Sequence, residues 1–127
     1  MILSFDQAGD LLDKMAEEFP TEFYDELNGG ISLLPDVKED PQAGPGELYI
    51  LGEYCNDMMG KYINLYYGSF VALAKQEDWT EEDWEDELYE TLAHEFTHHM
   101  EGRAGERGLE IKDEQFMEQF RQEHDIK

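Results

Sequence analysis

Apolar residues recur at helical spacing near the start of the chain, where Phe5, Ala8, Leu12, Met15, Ala16 and Phe19 share one face. Ser4, with Gln7 three residues on, reads as a capping-box start, so the pattern predicts an amphipathic helix up to Phe19. Pro20 and Thr21 interrupt it, and Phe23, Tyr24 and Leu27 continue as a short helical piece ended by Asn28, Gly29 and Gly30. Ile31 to Leu34 reads as a short strand stopped by Pro35, and Asp36 to Gly46 as a surface loop. Glu47 to Leu51 and the alternating stretch Tyr62 to Tyr67 are the next strand candidates. Gly68 ends the second of these, and Ser69 caps a helix through Lys75. Thr80 with Asp83 starts a long helix to about Gly102, whose apolar stripe is Trp84, Leu88, Leu92, Phe96 and Met100, widened by Tyr89 and Ala93. The stretch from Gly102 to Gly108 reads as a loop, and Asp113 to Gln122 returns to helical spacing. No internal repeat is visible.

A chain of 127 residues with this pattern is expected to be one domain, residues 1–127, with a core that needs no disulfide. Charge sharpens the picture. The 32 acidic residues against 9 Lys plus Arg leave a net charge of −23, which repels phosphate backbones and anionic lipid, so neither nucleic acid nor membrane is an expected partner. Such a charge also opposes compaction, but 16 Phe, Tyr and Trp residues supply the burial that disordered acidic chains lack. Cys55 is the single cysteine, and the acidic N-terminal stretch with Asp6, Asp10 and Asp13 does not read as a signal peptide. The longest apolar run, Phe70 to Ala74, is far short of a membrane span. A cytoplasmic location is expected.

The chemistry stands on the long helix. His94-Glu95-Phe96-Thr97-His98 is an HExxH motif, and two imidazoles four residues apart project from one helical face about 40° apart, so that they can share one metal ion. Zn²⁺ suits imidazole nitrogen, and a catalytic zinc keeps three protein ligands and an open position. Zinc lowers the pKa of water toward about 7, and Glu95, beside the first ligand, is placed to remove a proton and deliver it to a departing amine. With Leu88 at 0° on the wheel, His94 and His98 fall at about −120° and −80° and Glu95 at about −20°, bordering an apolar arc of about 0° to 120°. The motif therefore sits where core meets cleft. His99, at about +20°, falls inside the arc and reads as a buried, hydrogen-bonded core histidine.

HEFTHH late on a long helix, preceded by YINLYYGSF and followed by IKDEQF, resembles the small bacterial zincin-like metallopeptidases, over about Met15 to Phe120. In that family an extended segment precedes the active helix, and HExxHH is followed by a glycine and an Asp-Glu pair. The resemblance implies an α+β, minimal zincin-like fold, a small sheet packed against helices with a long helix bearing the motif. It also implies a peptide or protein substrate and, by motif match, Asp113 as the third zinc ligand. GRAGERGLE lengthens the spacing to that pair, so Glu101, Glu106, Glu110 and Glu114 stay open as carboxylate ligands.

Other residues are assigned blander roles. Cys55 lies 39 residues before His94, a spacing that peptide deformylases approach, but their flanking motifs are absent and a buried thiol is expected. Tyr62, Tyr66 and Tyr67 read as packing residues rather than oxyanion donors. The run from Gln76 to Gly102 holds 11 acids and no Lys or Arg and reads as a solvated helix face. The expected function is a zinc metallopeptidase of HExxH type. The opposing classes are a non-catalytic, zinc-stabilised acidic interaction module and an acidic interaction protein without metal.

Overall fold

A computed structural model describes residues 1–44 and 46–107 of the chain. Helix α1 (Phe5–Glu18) opens with the expected capping box, in which Ser4 and Gln7 exchange backbone and side-chain hydrogen bonds of 3.1 and 2.9 Å. A 3₁₀ turn (Thr21–Tyr24) follows, then β1 (Gly30–Leu34), β2 (Gly52–Asp57), β3 (Gly60–Tyr66), α2 (Tyr67–Glu77) and α3 (Glu81–Arg107). The result is a mixed α/β fold built on a three-stranded sheet of order β1-β3-β2.

The sheet's centre is β3, the most buried strand, with Ile63 and Leu65 fully covered. It pairs in parallel with β1, register Gly30–Tyr62, and antiparallel with β2, register Gly52–Leu65. The β2–β3 link is a tight hairpin in which the Met59 N–H donates to the Asp57 carboxylate at 2.8 Å. Gly60 closes it at φ +108°, a conformation that side chains rarely tolerate. Helix α3 packs across β2 and β3, which leaves β2 as the edge strand beside it.

The expected apolar stripe of α3 is the spine of the core. Trp84, Leu88, Leu92, Phe96 and Met100 are all buried, together with Ala93. Phe96 meets the rings of Phe19, Phe23 and Tyr24 at 5.0, 5.5 and 5.1 Å, tying α3 to α1 and the 3₁₀ turn. Thr80 and Asp83 form the expected second capping box, with bonds of 2.9 and 3.2 Å.

Three expectations need correction. Residues 47–51 are not a strand: apart from an isolated bridge between Glu39 and Tyr49, this segment is irregular, and the neighbouring strand is Gly52–Asp57. That strand is polar along much of its length, and what selects it is pairing with β3 through the tight turn rather than its own apolar content. Ser69 is not a helix cap, because α2 starts at Tyr67. The Ser69 hydroxyl instead accepts from the Lys38 N–H at 2.7 Å and donates to the Lys38 carbonyl at 3.1 Å, fastening the β1–β2 connection to α2. Finally, α3 continues through Gly102 to Arg107. Glycines weaken a helix by about 1 kcal/mol each, but Arg103 anchors this turn through a 3.0 Å ion pair with Glu26 and a contact to the Met100 sulfur. The helix expected at Asp113 to Gln122 lies outside the described residues. Among the described residues no helix is long and apolar enough to cross a membrane.

Candidate metal and acid-base site

The burial sequence along α3 places the two histidines, Glu95 and Phe96 as their wheel angles require, while Thr97, at about 180°, is buried outside the expected arc. His94 and His98 are exposed, and Glu95, Phe96, Thr97 and His99 are buried. The Thr97 hydroxyl returns to the Ala93 carbonyl at 3.0 Å, so it is spent within the helix. The two exposed rings converge, with Nε2 of His94 3.0 Å from Nε2 of His98.

Two nitrogens bound tetrahedrally to one zinc stand about 3.3 Å apart. The observed pair therefore fits a shared zinc with only a small opening of the rings. The donor set is right in type as well, since both nitrogens belong to imidazoles on one rigid helix. Among the described residues no group of three or more His, Cys, Asp or Glu is arranged to hold a metal ion. Glu101 is exposed and does not complete a trio with the two histidines. Asp113, Glu110 and Glu114 lie outside the described residues, as does the side chain of Glu106.

The walls beside the histidines come from β2. Gly52, Glu53 and Tyr54 join His94, Glu95 and His98 around a cavity of 450 Å³. A Cβ on Gly52 would come within 2.8 Å of the Thr91 methyl and 3.5 Å of Glu95 Cγ, so only glycine lets the strand approach the helix this closely.

Glu95 is 5% exposed. Burial, and then the negative charge of Glu53, push its carboxyl from an ordinary 4.5 up to about 7, opposed by a hydrogen bond from the Tyr54 backbone. A carboxylate with that value can both take and return a proton near neutral pH. Glu53 is itself held below its usual range by hydrogen bonds from Lys38 and Tyr66, so it stays charged beside Glu95.

His99 fulfils the core reading. It is fully buried, with Nε2 2.7 Å from the Asp25 carbonyl and Nδ1 2.9 Å from the Tyr54 hydroxyl. A carbonyl oxygen only accepts, so Nε2 carries the proton and Nδ1 accepts from Tyr54. Burial, opposed by the hydrogen bond to the Asp25 carbonyl and aided by the charges of Arg103 and Lys61, lowers its pKa and favours the neutral ring. Tyr62 donates to Asp57 and Tyr67, at the start of α2, to the Leu3 carbonyl, both away from the site, whereas Tyr66 donates to Glu53 in the cavity wall. Cys55 is half-buried on β2.

Sequence reasoning did not assign Gly52, Glu53 and Tyr54 to the site, because strand pairing rather than local pattern carries them to α3. Glu87, Glu90 and Thr91 were within reach of it, since they precede His94 by seven, four and three residues on the same helical face.

The mixed α/β fold of this chain has a solved counterpart. A conserved hypothetical protein from Thermo thermophilus is 32% identical in sequence, covers 81% of this chain over 99% of its own length, and superposes with a TM-score of 0.70. The chain belongs to the same family as that protein. No protein-family model matches the chain, and no curated protein matches it.

Proposed function

We propose that this protein is a zinc-dependent peptidase of minimal zincin-like type, acting in the cytoplasm on peptides or unfolded segments. Zinc is held by His94, His98 and Asp113, and Glu95 is the proton carrier. The observation that carries this reading is the convergence of two exposed imidazole nitrogens beside the buried carboxyl of Glu95, all three residues lining one cavity. When bound, zinc supplies Lewis acidity that polarises a peptide carbonyl and acidifies water. Glu95 accepts a proton from the attacking water and later returns one to the departing amine.

The edge strand supports the same reading. Among the described residues β2 pairs with β3 alone, and an edge strand beside the two histidines is the kind of element that an extended peptide joins by strand addition. Retention of a proton acceptor at Glu95 favours an enzyme over a structural zinc module, which needs ligands but no base.

Elemental analysis of protein purified without chelator or metal resin tests the metal assignment. The expected result is about one zinc per chain, lost in His94→Ala, with Asp113→Ala releasing zinc far more readily than Glu101→Ala. Folded wild type without zinc would overturn the reading and favour an acidic interaction protein.

A further inference from the structure

One turn and two turns before His94, α3 presents Thr91, Glu90 and Glu87 on the face that carries the motif. With Tyr49, Ile50, Leu51 and Gly52 across from them, they line a second cavity of 330 Å³ that shares Gly52, His94 and Glu95 with the first. The volume is within the range of small-ligand sites.

Its wall is negative and uncompensated. Among the described residues no lysine or arginine pairs with Glu87 or Glu90. Burial of Glu87, and then the charges of Glu90, Glu77, Asp86 and Asp83, push its carboxyl upward. Thr91 adds an independent sign that something belongs here. It is only 9% exposed and lines the cavity, yet its hydroxyl has no hydrogen-bond partner among the described residues. A buried polar group left unsatisfied costs stability, so a donor from outside the chain is the natural complement. What fits two carboxylates, a hydroxyl acceptor and an aromatic neighbour is an organic cation with several N–H donors.

We infer that this cavity is a subsite for a lysine or arginine side chain of the peptide engaged at His94 and Glu95, with Glu87 and Glu90 as charge partners and Thr91 as acceptor. The inference rests on the peptidase reading for the identity of the ligand, but binding can be read without turnover. It makes the substrate class basic peptides, and makes Glu87 and Glu90 residues of specificity rather than part of a solvated face.

The test is calorimetric titration of the full-length chain carrying Glu95→Gln, and of wild type, with blocked hexapeptides that carry one arginine at each position in turn. Parallel sets carry lysine, citrulline or norleucine. At one position arginine and lysine should bind about tenfold more tightly than citrulline and norleucine. The double change Glu87→Gln/Glu90→Gln should remove that preference, whereas Glu82→Gln/Glu85→Gln, equal in charge and at exposed positions, should preserve it. A preference that ignores position, survives at Glu87/Glu90, or falls equally in the Glu82/Glu85 control would overturn the subsite and leave only the general field of an acidic protein. Hydrolysis by wild type is scored separately. Positional binding without cleavage keeps the subsite and removes the peptidase reading, and cleavage without positional preference does the reverse.

Discussion

Glu95→Gln is expected to lower peptide turnover by about 10²- to 10⁴-fold, the usual worth of a general base, while zinc content stays at the wild-type level. The substitution keeps the side chain's shape, its place in the cavity wall and both imidazoles, and removes only the capacity to carry a proton. Metal analysis and a peptide-library assay on the same two preparations check both halves. Equal cleavage by the two proteins would sink the role given to Glu95.

The same variant carries a stability signature with a definite sign. Glu95 has a folded-state pKa of about 7 against an ordinary 4.5, so the folded protein binds its proton more tightly than the unfolded chain does. The resulting stabilisation is fully present below the unfolded value and is lost as pH rises through about 7. Glutamine cannot ionise. Metal-free Glu95→Gln should therefore melt above metal-free wild type at about pH 8, with the gap closing toward about pH 5. A gap that does not change with pH would show that burial does not disfavour the Glu95 charge.

Phe96→Ala is the second large effect, and it acts on the scaffold. Phe96 is fully buried inside the HExxH motif and meets Phe19, Phe23 and Tyr24. Removing the ring leaves a cavity between α3, α1 and the 3₁₀ turn, at a cost of about 3–5 kcal/mol. A domain typically has about 5–15 kcal/mol in total, so a large part of the stability should go. Urea unfolding measures it, and Phe96→Leu, which refills much of the space, should lose considerably less. A loss below about 1 kcal/mol for the alanine variant would mean that these ring contacts do not hold α3 in place.

What could be read from the sequence was whatever a single helix face decides. The stripe from Trp84 to Met100, the exposed His94 and His98, the buried Glu95 and the core role of His99 all follow from angle around one axis, and capping at Ser4 and Thr80 is local chemistry. The polar strand Gly52–Asp57 was not legible, because it earns its place only by pairing with β3. The extension of α3 past Gly102 depends on Glu26, a residue distant in sequence that meets Arg103 only in the folded chain. Glu87 and Glu90 share the motif's face by angle alone, but that this face lines a cavity could not be read, because it does so only where another segment, here Tyr49 to Gly52, stands opposite.

The unpaired carboxylates around Glu87 bear on how this molecule responds to ionic strength. Glu77, Asp83, Asp86 and Glu90 all act on Glu87 without a neighbouring cation among the described residues, so their repulsion opposes the compact state. Dissolved salt shortens the reach of that repulsion to about 10 Å at 0.1 M and steadies the fold. The same ions shield the cavity from an approaching basic peptide and slow its capture. Added electrolyte thus moves stability and ligand recognition in opposite directions, and a buffer chosen for the most robust preparation is the one in which the acidic wall attracts least.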